Sequence, residues 1–281
     1  MMIRGFDLVI NACIAGHNLI SAFNGTNTRF IWWVHDGRVG FECVQKYLPE
    51  RLGRNIKVYC GGSYAQKVMK EYCPSYETDI LLYGVEDRAT DQDLHEAPTD
   101  IINFLFPATF EQRKNQMGLV KAVGMLPEKL RKKARFVMLG LPHDRTYYNS
   151  VVEAAKPYEN ITISGPIPYQ ELMELYSTSQ CIVVTSTDDP MPVVLAEAMM
   201  LSKIVISSDM TGTAGFIDNG VNGFVFPHDR IELLSERLQY VIENHASMDS
   251  IRREARKTYE KYYSKESFKK ALVEAVENSM R

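Results

Sequence analysis

Asp189, Glu197 and Lys114 are the residues of this 281-residue chain whose type and setting point to chemistry. The two carboxylates stand eight positions apart in Thr187-Asp188-Asp189-Pro190-Met191-Pro192-Val193-Val194-Leu195-Ala196-Glu197-Ala198-Met199-Met200. Glu197 lies in a helical pattern that is apolar nearly all round. A buried carboxylate is costly unless hydrogen-bond donors meet it. Ribose hydroxyls would donate to it without adding charge; a buried ion pair with a Lys or Arg would serve equally. Asp189 also has two readings. Before Pro190 it suits a helix N-cap with proline at the first helical position. It also suits a carboxylate that accepts from sugar hydroxyls, with the following N–H groups facing a pyrophosphate at a helix N-terminus. The neighbouring pair Asp188-Asp189 is a weak sign of a metal.

Lys114 sits in Phe110-Glu111-Gln112-Arg113-Lys114-Asn115-Gln116, where a helix begins. A cation there opposes the helix dipole, which makes sense when an anion lies between them. Arg113 is a second donor, and a solvated basic loop is the plain reading. The loop Asp209-Met210-Thr211-Gly212-Thr213-Ala214-Gly215 is small enough for backbone to approach a ligand. Gly165-Pro166-Ile167-Pro168 suits a turn that lines a planar base, and His35-Asp36 ends an apolar run. The basic stretch Lys129-Leu130-Arg131-Lys132-Lys133 reads as a solvated helix end, with a membrane surface as its sharper reading.

These residues need elements to hold them. Apolar runs at 7–11, 29–35, 55–60 and 80–83 read as strands, with a helix at 63–72. The acidic, polar stretch 86–100 with Pro98 reads as a linker. Beyond it, strands at 101–107, 135–140, 161–164, 181–186, 204–208 and 223–226 alternate with helices at 116–126, 147–156, 169–177, 193–201 and 231–243. Such alternation predicts an α/β fold of right-handed βαβ units on a parallel sheet. Ligands then bind beyond the strands' carboxyl ends. The predicted sites are therefore the loops after Pro107, Gly140, Ser164, Ser186 and Ser208.

Hydrophobic residues make up 45% and charged residues 24%, with a net charge of -3. That argues against a nucleic-acid binder working through bulk positive charge, and leaves room for a local basic patch. Cys13, Cys43, Cys60, Cys73 and Cys181 are scattered without C-x-x-C spacing, so reduced thiols of a cytoplasmic protein are expected, not a zinc site or disulfide framework. No apolar run approaches the ~20 residues that span a bilayer. The expectation is a soluble chain, with peripheral contact at the inner face of the membrane left open.

The motif residues resemble those of family 4 retaining glycosyltransferases, which have the GT-B fold. Asp189 through Glu197 looks like that family's E-x7-E motif, with Ala198-Met199 following. Lys114, with Ala122 eight residues on, resembles its phosphate lysine. Gly212 fits its Gly-bearing loop, and Asn222-Gly223 before Phe224-Val225-Phe226 its Asn-Gly-strand segment. His35 resembles its histidine beside the reacting sugar, while Ser63 and Gly84 fit the approach to the linker. The resemblance implies a complete C-terminal Rossmann-like nucleotide-sugar-binding domain at 89–262 and a partial N-terminal, acceptor-side α/β domain at 1–88. It also implies a helix at 263–281 that packs back on the N-terminal domain. The implied catalytic residues are Lys114, Asp189 and His35. The implied donor contacts are Glu197 on ribose, Arg113, Thr109, Ile167 near the base, Met191, Val193, Val194 and Gly212.

The implied reaction is transfer of a hexosyl group, with retention, from a nucleotide sugar, UDP-linked in most of the family, to a glycan or lipid-linked acceptor, without metal or cofactor. Several positions depart from the pattern. Asp189 is one methylene shorter than the family's Glu, and Pro190 and Pro192 remove N–H donors, leaving Met191, Val193 and Val194. Thr109 stands where the family often has Arg, with Arg113 nearby, and Gly215 replaces a frequent Glu. The N-terminal domain begins near its middle, so a partner chain supplying the missing N-terminal half is one expectation. Two alternatives remain: a non-catalytic nucleotide-sugar-binding module, and another GT-B enzyme such as a nucleotide-sugar epimerase.

Overall fold

Strand β8, Cys181–Val184, is four consecutive buried apolar residues, and β9, Ile204–Ser208, is buried throughout. Runs without alternation belong in sheets covered on both faces, and the computed structural model places them there. It describes residues 5–91, 93–94 and 99–281. Pro98 and its neighbours in the predicted linker, with the first four residues, lie outside the described residues.

The first half carries β1 (Leu8–Asn11), α1 (His17–Phe23), β2 (Arg29–Val34), α2 (Arg38–Val44), β3 (Ile56–Cys60), α3 (Ser63–Tyr72) and β4 (Thr78–Ile80). Its strands form a parallel four-stranded sheet in the order β1-β2-β3-β4. The predicted strand at 80–83 lies earlier in the chain than expected, because β4 pairs from Thr78 opposite Val58. Trp32, Phe30 and Phe41 are fully buried there, so two seven-residue helices that the pattern did not announce are held by packing.

The second half runs through β5 (Ile102–Pro107), α4 (Gln116–Met125), α5 (Glu128–Arg131), β6 (Ala134–Leu139), α6 (Arg145–Ala155), β7 (Ile161–Ser164) and α7 (Tyr169–Thr178). It continues through β8, α8 (Val193–Met200), β9, β10 (Phe224–Phe226), α9 (Ile231–Asn244) and α10 (Asp249–Thr258). The strands form one parallel sheet in the order β10-β9-β8-β5-β6-β7. Its centre is packed by Phe104 and Phe136, whose rings stack at 4.7 Å.

The last helix, α11 (Lys265–Met280), leaves the second half and covers the four-stranded sheet. Phe268, Ala271, Leu272 and Val276 pack around Ile31, Tyr59 and Leu81. Phe268 stacks on Trp33 at 5.5 Å. Gly84 permits this crossing, since a Cβ there would lie 2.8 Å from the Phe268 Cβ. The intervening segment is pinned where the Val85 N–H donates to the Tyr263 carbonyl at 2.7 Å. Among the described residues no helix is long and apolar enough to cross a membrane.

Candidate functional site

β5 lies between β8 and β6, so the chain leaving β5 and the chain leaving β8 emerge side by side where the strand order reverses. Crevices for ligands open at such switch points. The loop after β5 is drawn tight by polar contacts. Thr109 donates through Oγ1 to Glu111 at 2.9 Å, and Arg113 pairs with the same carboxylate at 2.7 Å. Arg113 also donates to the Asp188 backbone carbonyl at 3.1 Å, and the Thr187 N–H donates to the Arg113 carbonyl at 2.7 Å. The two loops are thereby sewn together. Asn115 ends the first in the left-handed region, at φ 55°, and its side chain caps α4 at Gly118. Asparagine is among the few residues that adopt this conformation readily.

Lys114, one residue earlier, reaches the second loop. Its ammonium lies 2.7 Å from Asp189 Oδ2, and the two side chains are 15% and 8% exposed. The plain reading of a solvated basic loop fails here. Ser186 Oγ donates to the same carboxylate oxygen at 3.3 Å.

Asp189 is not a helix cap, contrary to one of its sequence readings. Helix α8 starts only at Val193, with Pro192 at the cap position and no side-chain cap bond. Pro190 and Pro192 each push the residue before them toward extended backbone, which delays the helix. Asp189 instead bridges to Thr211, with its N–H on the Met210 carbonyl. Among the described residues no backbone acceptor meets the N–H groups of Met191, Val193 and Val194. These donors sit at the positive end of the α8 dipole.

Glu197, inside α8, has no ion-pair partner among the described residues, so the buried ion pair weighed from sequence is not formed. Two phenols meet it: Tyr169 donates to Oε1 at 3.1 Å and Tyr176 to Oε2 at 3.0 Å. Burial pushes the Glu197 carboxyl above its ordinary range, against the pull of both hydrogen bonds and of Arg88. Ile167, in the turn before α7, packs against the core of this half.

His35 follows β2 on the first half. Burial pushes its imidazole down to about 4, so it is neutral at physiological pH. Its Nδ1 is buried without a hydrogen-bond partner, and its ring meets Trp33 edge-on at 4.2 Å. Next to it, Asp36 accepts from the Ile14 N–H at 2.8 Å. Burial raises the Asp36 carboxyl, and the nearby Asp188 charge adds to the rise.

Asp188 and Asp189 face different partners. The Asp188 carboxylate accepts from the Arg38 and Val39 N–H groups, at 3.3 Å each, at the start of α2. It thus ties the second half to the first. The Gly212 loop does the same. The Ser63 N–H donates to the Gly212 carbonyl, and the Gly215 N–H to Ser63 Oγ, both at 3.1 Å. The Gly212 N–H donates to the Asp189 carbonyl at 2.9 Å.

The structure therefore groups Lys114, Asp189, Arg113, Thr109, Gly212 and the α8 amides at the switch point. Glu197 forms a second patch beside α7, and His35 stands on the opposite half. Tyr83 joins the first two. It is buried, donates to the Pro192 carbonyl at 3.0 Å, and feels the charges of both Asp189 and Glu197. Tyr83, Tyr169 and Tyr176 escaped the sequence reading, and so did the α2 amides that Asp188 takes. One signal was available: Tyr169 and Tyr176, seven residues apart, share a helix face.

Residues 87–258, more than half of the chain, match the sequence model of glycosyl transferases group 1. No curated protein matches the chain. Among solved structures, Anabaena HepE in complex with UDP-glucose matches with a TM-score of 0.75 and 16% identity, over 97% of this chain and 79% of that one. Sucrose-phosphate synthase from Thermosynechococcus elongatus matches with a TM-score of 0.79 and 17% identity, over 98% and 74%. The lipopolysaccharide outer core galactosyltransferase WaaB matches with a TM-score of 0.76 and 16% identity, over 97% and 75%. These likenesses establish the two-sheet fold as GT-B type, in a chain shorter than each of these three.

Proposed function

Because the chain belongs to the glycosyl transferases group 1 family, and is therefore a glycosyltransferase, we propose that it moves a hexosyl group from a UDP-linked sugar to a glycan or lipid-linked acceptor with retention. The observation that carries this reading is the Lys114–Asp189 pair at the switch point, beside three N–H groups that no backbone acceptor meets among the described residues. A cation and the start of a helix meet there, the pairing of groups that binds a diphosphate. The motif is read as an E-x7-E variant of family 4, with Asp189 as its first acid and Glu197 as its second. HepE was crystallised with UDP-glucose, and we assign this chain the same class of donor.

In this reading the bond between the anomeric carbon and the β-phosphate oxygen breaks, and the diphosphate leaves with the electron pair. Lys114 and the amides of Met191, Val193 and Val194 stabilise the growing negative charge, a contribution that acts only as charge develops. The acceptor hydroxyl attacks the face that the diphosphate leaves, and its proton goes to a departing phosphate oxygen. Neither carboxylate is free to be a nucleophile: Asp189 is paired with Lys114, and Glu197 is held by two phenols. Asp189 holds sugar hydroxyls, Glu197 holds ribose, and neutral His35 offers a ring nitrogen from the acceptor side. Arg113 and Thr109 shape the phosphate loop, Ile167 lies near the base, and Gly212 backs the sugar. No step calls on a metal.

Calorimetric titration with UDP, GDP and their sugar conjugates tests the donor site, with Glu197→Ala as control. Binding of one nucleotide, lost in the variant, is the expected result. Binding without transfer or hydrolysis would make the chain a binding module; an epimerised nucleotide sugar as product would make it an epimerase. No binding to any would overturn the reading.

A further inference from the structure

Glu197 is a buried carboxylate whose setting has more order than its charge requires. A carboxylate offers about four acceptor positions over its two oxygens. Here each oxygen receives one phenol, Tyr169 on Oε1 and Tyr176 on Oε2. Both phenols are held neutral by burial and by the Glu197 charge, so both remain donors. They come from one face of α7. One acceptor position on each oxygen remains beyond the two phenols.

The last torsion of a glutamate is broad and roughly two-fold, so the side chain does not set the plane of its own carboxylate. Two donors on two different oxygens do set it. A single ligand hydroxyl can be met by a carboxylate in almost any plane. Two adjacent hydroxyls need both oxygens presented together. The outer phenol is steadied from the other side. Tyr169 is 44% exposed, and the Arg88 guanidinium lies 5.1 Å from its ring centroid. Tyr176 is fully buried behind it.

We propose that Tyr169 and Tyr176 are positioning residues that fix Glu197 as a reader of two vicinal hydroxyls, so that the site takes ribonucleotides and rejects 2′-deoxyribonucleotides. The inference rests on the reading of Glu197 as the ribose contact. Arg88 extends the arrangement, because it steadies the phenol from the segment that joins the two halves.

The test is calorimetric titration of the full chain with UDP and with 2′-deoxy-UDP, for wild type, Tyr169→Phe and Tyr176→Phe. Wild type is expected to prefer UDP by ~10-fold or more, as the loss of a hydrogen bond to a charged group implies. Tyr169→Phe keeps the exposed ring and the fold, so its melting temperature should hold. Its UDP affinity should fall about 10-fold while its weak affinity for 2′-deoxy-UDP barely moves, so the preference collapses. A purely structural role would weaken both nucleotides alike. Equal binding of both nucleotides by wild type, or binding of neither, would remove the ribose reading of Glu197 and this inference with it. A wild-type preference that survives in both folded variants would leave the ribose reading standing and overturn the positioning role alone.

Discussion

Truncating Lys114 to alanine should cost the fold as well as the reaction, and the two losses should separate. The ammonium lies 2.7 Å from Asp189 Oδ2, with side-chain exposures of 15% and 8%. Breaking a fully buried pair by removing one partner costs about 3–5 kcal/mol, because a charge is left behind. Two features lower that figure here. The lysine retains some contact with water, and Ser186 Oγ still donates to the orphaned oxygen at 3.3 Å. The expected loss is about 2–3 kcal/mol. At roughly 2–4 °C per kcal/mol for a chain near this size, the melting temperature should drop by about 4–12 °C. Replacing Asp189 by Asn in the same chain removes the stranded charge, so Lys114→Ala with Asp189→Asn should recover most of the loss. Turnover should not recover, since the diphosphate has still lost its cation; a fall of ~100-fold or more is expected in both variants. Differential scanning calorimetry and initial-rate assays read the two quantities. An unshifted melting temperature in Lys114→Ala would show that the pair contributes nothing. Near-wild-type turnover in that variant would falsify the catalytic role.

Two further perturbations follow from the geometry. A Cβ at Gly37 would lie 1.7 Å from Asp188 Oδ1, so Gly37→Ala must break the contact between α2 and the second half. Small-angle scattering should show an enlarged radius of gyration in Gly37→Ala, and in Asp188→Ala as well, since both lose the same contact; an unchanged radius in both would show that the halves are held elsewhere. Burial raises the Glu197 carboxyl above its unfolded value, so its contribution to stability is greatest at low pH and is lost as pH rises through the raised value. Glu197→Gln should therefore melt no lower than wild type at pH 7, with the difference shifting toward wild type at pH 4, while UDP binding disappears. A variant that melts well below wild type at pH 7 would mean that the ionised form is fully compensated.

How much could be read in advance depended on the range of the forces involved. β8 and β9 were legible because their runs of buried apolar residues admit little besides a covered parallel strand. The loops after β5 and β8 were legible because a parallel sheet fixes where its loops emerge. α1 and α2 were not. Each has seven residues and no side-chain cap, and each is held by Phe23 or Phe41 against the first sheet. α10 carries Arg253, Arg256 and Lys257, which mask a narrow buried stripe of Ile251, Arg252, Ala255 and Thr258. In the site, the local rule for Asp-Pro predicted a cap, and a second proline two residues on overrode it. Asp188, beside Asp189, offered no more than a weak sign of a metal. Its partners are backbone groups 150 and 149 residues away, which no spacing reveals. The tyrosines of α7 showed their common face, yet nothing local said that the face meets Glu197.

The seam between the halves explains why site and architecture cannot be separated in this chain. The loop that carries Asp189 also carries Asp188, which takes two amides of α2, and Pro192, which accepts from Tyr83. The loop that carries Gly212 holds Ser63 by its backbone. These polar contacts sit beside apolar packing: Met210 lies against the first half's core, and Ile80 against the second half's. A ligand that shifts Asp189 or Gly212 must therefore also act on the contacts that hold the first half. By linkage, whatever holds the halves together changes the affinity for that ligand by the same factor. On the proposed function, donor affinity and the approach of His35 toward the donor are then two readings of one equilibrium. The one-atom choice of glycine at position 37 acts on both, because it lets the Asp188 carboxylate reach α2.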